Sequence, residues 1–407
     1  MKILKRIISV VIWTVIALNL LSAGILHLPG VQQFVGGKVA AMLEDQLGTK
    51  VTVGQIDIGL LNRIIIDNVL IYDQQRKEML RVSRLSVKID YMPLAEGKIH
   101  ISSAQLFGAH AHLYRKNSQT APNFQFVIDS LASKDTTSQT PLDVRINTFI
   151  IRNSSVSYDQ HDIAPSDGLF NPAHLKVNGL SGHINLKALT DDSLNINVKR
   201  LGFSEQSGLT VNRLAFRFYA GKKNAMLENF QLQMPSSNLR IDTLTANYQL
   251  NEKGLKPGTL VFSGRINDTS ITPSDLRCFE LSLKNFQRPI AITTMINGTD
   301  QQIHVPDLQI STSEKDIDIN VNGWLEHWDK QPAWHLQMNQ IALSETSIDF
   351  LSKAFQLPKE LTRVGLLQMT GTFDGNRQGE VTLNSQIHTG VGDVDIQMTQ
   401  NSNHAFK

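Results

Sequence analysis

From residue 49 onward, apolar residues recur at every second position in segment after segment, a pattern that suits strands with one dry and one wet face. It is clear in RLSVKID (Leu85, Val87, Ile89), HINLKA (Ile184, Leu186), LNINVK (Leu194, Ile196, Val198), IDINVNGWL (Ile317, Ile319, Val321), VTLNSQI (Val381, Leu383) and VDIQM (Val394, Ile396, Met398). In KVTVGQIDIGL, Val51 and Val53 alternate, Gly54 interrupts, and Ile56, Ile58 and Leu60 resume one position out of step, which predicts a glycine bulge. Polar turns such as 235–238, 313–316 and 376–379 separate the strands at short intervals, so antiparallel hairpins are expected rather than parallel strands with helical crossovers. Residues 229–248 and 307–324 each run as an alternating strand, a polar turn and a longer alternating strand, a weak repeat with irregular spacing.

The N-terminus follows a different rule. Residues 7–28 contain no Asp, Glu, Lys or Arg, and include Ile7, Ile12, Trp13, Ile16, Leu20, Ile25 and Leu28. As a helix this run reaches about 33 Å, enough for a hydrocarbon core of about 30 Å and longer than the apolar part of a cleaved signal peptide. Lys2, Lys5 and Arg6 precede it, so the positive-inside rule predicts a single-pass anchor with a cytoplasmic N-terminus and the remainder exported.

Three helices are expected after the anchor. Val31, Phe34, Val35, Val39, Met42, Leu43 and Leu47 recur at helical spacing before Gly48; Phe124, Val127, Ile128 and Leu131 do so inside a polar stretch; Ile348, Leu351 and Phe355 follow a Ser/Glu cap and stop before Pro358. The expected organisation is a cytoplasmic N-terminus (1–6), an anchor (7–28), a helix-plus-strand region (29–115), a polar linker with a short helix (116–141) and a β-rich region (142–407) that continues beyond Lys407. An unpaired sheet edge at the last strands is the reason for that last expectation.

Composition narrows the function. The 39 Lys+Arg nearly balance 37 Asp+Glu, which argues against a nucleic-acid partner, and the single cysteine, Cys278, excludes an internal disulfide or a cysteine zinc cage. Phosphate-cradling glycine loops, nucleophile elbows and H-E-x-x-H are absent from the sequence. His110 and His112 share a strand face but lack a third ligand, and Asp316, Asp318, Asp393 and Asp395 sit where a sheet faces water. No catalytic, cofactor or metal site is expected, and the chain reads as a non-enzyme.

Residues 28–106 carry a family resemblance. An amphipathic helix ending in Leu47-Gly48, a V-x-V-G strand from Val51 to Gly54, an apolar NVLIYD strand from Asn68 to Asp73 and a G-K-I-x-I strand from Gly97 to Ile101 occur in that order. The chain resembles the N-terminal part of the AsmA-like proteins, most closely the TamB branch, the inner-membrane subunits of the translocation and assembly module. The resemblance implies a mainly β fold: an N-terminal membrane helix, then an elongated antiparallel sheet curled into an apolar groove with a few short helices. It implies a periplasmic bridge anchored in the inner membrane that carries phospholipid acyl chains toward the outer membrane, and an outer-membrane barrel partner of the BamA type. Groove lining would fall to Val51, Val53, Ile56, Ile58, Leu85, Val87, Ile89, Ile196, Val198, Ile317, Ile319, Val321, Val394 and Ile396. Two other readings stay open: a scaffold that recruits barrel precursors by strand addition, and a closed β-sandwich whose apolar faces pack on each other.

Overall fold

The alternating segments are strands, and the chain is mainly β with few helices. The computed structural model describes residues 29–59, 63–89, 99–132, 142–143, 147–190, 193–251, 254–328, 331–355 and 363–400. The apolar run at 7–28 lies outside them; among the described residues no helix is long and apolar enough to cross a membrane. The described residues form two compact units, one from those between 29 and 167 with 171–185 and 203–206, the other from 168–170, those between 186 and 202, and those between 207 and 400.

The first unit opens with α1 (Pro29–Leu47), followed by β1 (Val51–Thr52), β2 (Ile56–Gly59), β3 (Arg63–Tyr72), β4 (Glu78–Ile89), β5 (Ile99–Arg115), α2 (Gln125–Ala132), β6 (Leu142–Asp143), β7 (Thr148–Gln160) and the start of β8 (His174–Thr190). Helix α1 ends at Gly48, whose φ of 62° places it in the left-handed region and whose N–H donates to the Glu44 carbonyl at 2.8 Å. It turns Gly36 and Leu47 inward, and Gly36 faces Gly54 and the Ile56 side chain across a gap that a Cβ would just fill. The expected apolar stripe is therefore corrected at Phe34, which is 67% exposed with the Lys38 ammonium 5.9 Å from its ring.

Pairing departs from the expected hairpins at β5, which runs parallel to both β6 and β7. β1 and β2 both pair with β3, β3 with β4 and β4 with β5, all antiparallel, but β5 and β7 run parallel, with Ser103 opposite Thr148 and Arg115 opposite Gln160. A parallel pair needs a long crossover, and the polar stretch that contains α2 supplies it.

The expected bulge at Gly54 takes another form. Thr52 pairs with Leu70 and Ile56 with Ile66, so no residue is gained on either strand. Both strands reverse their pleat together: the apolar set steps from Val53 to Ile56 on one and from Ile66 to Val69 on the other. Asn68 makes the reversal with φ 55°, and Gly54 accommodates it, since a Cβ there would lie 2.8 Å from the Asp67 carbonyl oxygen. The same three-residue step recurs from Val82 to Leu85 and from Leu106 to Ala109, with Gly108 at φ 58° and Asn153 at φ 45° on the neighbouring strands. Reversal leaves ladder N–H groups unpaired, and serines meet them. Ala109 N–H donates to Ser154 Oγ and Asn153 N–H to Ser181 Oγ, both at 3.1 Å.

The second unit contains β9 (Ser193–Glu205) as far as Gly202, β10 (Thr210–Ala220), β11 (Asn224–Gln233), β12 (Asn238–Asn247), the small pair β13 (Leu250–Asn251) and β14 (Gly254–Leu255), β15 (Val261–Ile271), β16 (Ile290–Thr299), β17 (Gln302–Thr312), β18 (Ile317–Glu326), β19 (Ala333–Leu343), α3 (Glu345–Phe355), β20 (Leu367–Gly375), β21 (Val381–Thr389) and β22 (Gly392–Gln400). From β10 to β22, leaving aside β13 and β14, each strand is antiparallel to the next. Bulges interrupt the register between Ile266 and Thr269, Val305 and Leu308, and Met338 and Ile341. On the other side of β15, where its register with β12 also shifts, Thr269, 2% exposed, accepts the Arg240 N–H at 3.0 Å and donates to its carbonyl at 3.1 Å.

Candidate functional site

Register decides which side chains share a face. In the second unit Leu308, Val321 and Met338 lie side by side across β17, β18 and β19, as do Ile303, Leu325 and Trp334. Between these rows, Val305 and Leu336 flank Gly323. The grid is apolar at every position, and its middle position has no side chain. That gap opens a depression of 410 Å³. A Cβ on Gly323 would run into the His335 carbonyl oxygen, so the strands approach too closely there for any other residue.

The apolar face extends across β20 to β22 through Phe373, Leu383 and Met398 in one row, and Met369, Ile387 and Val394 in another. Trp334 stands opposite Gly375, where a Cβ would enter its indole ring, and its ring centroid lies 6.0 Å from that of Phe373. The opposite face of the same strands is polar and cross-bonded. Asn339 donates to Asn320 at 2.8 Å, Gln302 to Glu326 at 2.8 Å, and His335 pairs with Asp374 at 2.5 Å while stacking on Trp324.

Burial separates the two units. Val51, Ile56, Ile66, Val69 and Val82 are each at most 5% exposed, with Val53, Leu80 and Leu85 packed against them: a closed core beside α1. In the second unit Ile317, Val321, Met338 and Val198 are buried, but Ile196, Ile319, Leu325, Leu336 and Ile396 are only half-buried and Val394 is 51% exposed. Val87 is half-buried in β4; Ile58 and Ile89 fall in β2 and β4, their side chains outside the described set. The sequence-derived lining residues thus fall into a packed core in one unit and a partly open apolar face in the other. Gly323 and Trp334, which shape the depression, were not singled out from sequence, although the break in alternation at Asn-Gly-Trp in β18 is a visible signal.

One end of this face is closed. Two short turns of 3-10 helix, Pro273–Leu276 and Leu281–Asn285, and α3 gather there, with Phe286 and Phe350 edge to face at 4.2 Å between centroids. Asp316, expected to face water, is instead drawn into this end: its side chain is 11% exposed and accepts from Thr312 Oγ1, Ser347 Oγ and the Arg288 guanidinium. Burial raises its pKa, but the hydroxyl donors and Arg288 outweigh this and hold it below the ordinary 3.8. Ser347 comes within reach because Ser344 caps α3, its Oγ accepting the Ser347 N–H at 3.3 Å.

No group of three or more metal-ligating side chains gathers among the described residues, and His110 and His112 instead meet Ser155 and Ser157 on β7 at 2.7 and 3.0 Å. The depression is lined mostly by apolar side chains, and what such a surface can do is take up apolar matter. Compared with known proteins, the chain matches no family model, no curated protein and no solved structure.

Proposed function

We propose that the chain is a non-enzymatic carrier of lipid acyl chains, anchored in the inner membrane by residues 7–28 and exposed to the periplasm. The half-buried apolar face of the second unit carries this reading. A sheet with one wet face and one partly open dry face is costly in water unless apolar matter lies on it, and acyl chains suit its depth and lack of polar contacts. The TamB-like order of helix and strands in residues 28–106 supports the same conclusion, and curling of the sheet into a groove is part of what is proposed. A membrane-bridging route for phospholipid and a barrel partner of the BamA type belong to this proposal. Mass spectrometry of the purified chain should find co-purifying phospholipid, and Val321→Asp should abolish its uptake. A delipidated chain that stays monomeric and stable and takes up no lipid overturns the reading.

A second reading is favoured by β22, the last described strand, which pairs with β21 and whose Val394 is exposed. Strand addition there would make the chain a scaffold for barrel precursors. Crosslinks from β22 to such precursors in a lipid-free preparation would support it over lipid carriage.

A further inference from the structure

The element that closes one end of the apolar face is built to leave it. We propose that α3 is a hinged flap that lifts to admit the end of an acyl chain; the occupant rests on the reading above, whereas the motion stands on its own observations.

The sheet does not need α3. Leu343 at the end of β19 pairs directly with Leu367 at the start of β20, so the helix is an insertion whose removal leaves the ladder intact. Its buried side is poorly suited to permanent cover. Ser347, Ile348 and Ser352 are 3%, 6% and 6% exposed, and the Ser352 hydroxyl has no hydrogen-bond partner. Lifting the helix exposes this hydroxyl to solvent partners that the protein does not supply, which favours the open state by about tenfold. A cavity of 340 Å³ also lies at the base of the helix, between Phe286, Arg288, Asp316, Ile317, Ser347 and Phe350, where a settled interface would be filled. Release is opposed by the buried Ile348 side chain, by the edge-to-face pair Phe286–Phe350 and by the hydrogen bond from Ser347 Oγ to Asp316 at 2.9 Å. Asp316 serves as the latch, held in place from the sheet side by Thr312 and Arg288.

Hydrogen–deuterium exchange on the full chain, with and without a sixteen-carbon lysophosphatidylcholine, tests this. The α3 amides are expected to exchange at least a hundredfold faster than those of β18, and the lysolipid to quicken α3 while protecting β18. Ser352→Ala should slow α3 exchange about tenfold and slow lysolipid uptake; Asp316→Asn should do the reverse. Protection of α3 equal to that of β18, or α3 exchange indifferent to both substitutions, overturns the flap while lysolipid binding leaves the acyl-chain reading in place. Rapid α3 exchange that answers to both substitutions in a chain that binds no lysolipid overturns the acyl-chain occupant and retains the motion.

Discussion

Asp73 shows how much one side chain organises. It is 2% exposed, a costly position for a carboxylate, yet it accepts the Gln75 and Lys77 N–H groups at 2.8 and 2.9 Å and the Tyr114 hydroxyl at 2.7 Å, tying the β3–β4 turn to the end of β5. Burial pushes its pKa up, but those hydrogen bonds, Tyr114's first, bring it below the ordinary 3.8, while burial and then Asp73 push the Tyr114 phenol up to about 12. Asp73→Asn should therefore cost about 1–3 kcal/mol at pH 7 in urea unfolding. Because the folded pKa is depressed, the wild-type advantage is complete above the unfolded value near 3.8 and shrinks as pH falls through the folded one. An advantage that instead grows on acidification would show the carboxylate to be strained rather than stabilised. At Gly375 even one methyl group enters the Trp334 ring. Gly375→Ala should destabilise by about 1–3 kcal/mol and shift tryptophan emission to the red as the indole is pushed into water.

At the scale of elements, the pleat reversals are the feature to test. Asn153 holds φ 45°, where a β-branched residue is strained and glycine is not. Asn153→Val should lose about 1–2 kcal/mol in thermal unfolding and Asn153→Gly much less; equal losses would mean that the amide side chain, not the backbone, matters. Ser154→Ala removes the acceptor of the Ala109 N–H and should cost about 1–3 kcal/mol. These elements also mark what the sequence could and could not disclose. Alternation located β4, β9, β18, β21 and β22 because each places its apolar residues on one face, even in β22 where that face is partly exposed, and helical spacing with a serine cap located α3. A break was read only at Gly54, and there as a bulge; Gly108 within β5 carried the same kind of signal, whereas Asn68 and Asn153, at φ 55° and 45°, read as ordinary polar residues within a strand. The parallel pairing of β5 with β7 was hidden because period 2 is the same in either direction. Asp316 was misplaced because its latch role depends on Ser347 and Arg288, which are distant in sequence.

For the whole molecule, an open apolar face has a solution consequence. Stripped of lipid, the chain should self-associate in a concentration-dependent way on analytical ultracentrifugation, and Leu325→Asp should reduce this without unfolding the half-buried site. A monomer at all concentrations would mean that the face is closed in solution. Such association is expected to vary little with salt, because apolar contact rather than charge drives it.

The parallel β5–β7 pair also sets an order of assembly. From β10 onward, nearly every pairing joins strands adjacent in the chain, apart from the small β13–β14 interruption, so hairpins can zip from one to the next without waiting for distant partners. β5 cannot meet β7 until the whole of residues 116–147 has been closed into a loop, and that entropy is spent before any ladder bond returns it. The first unit should therefore be the slower to fold, and shortening the polar stretch around α2 should quicken it while leaving the refolding of β17 to β22 unchanged.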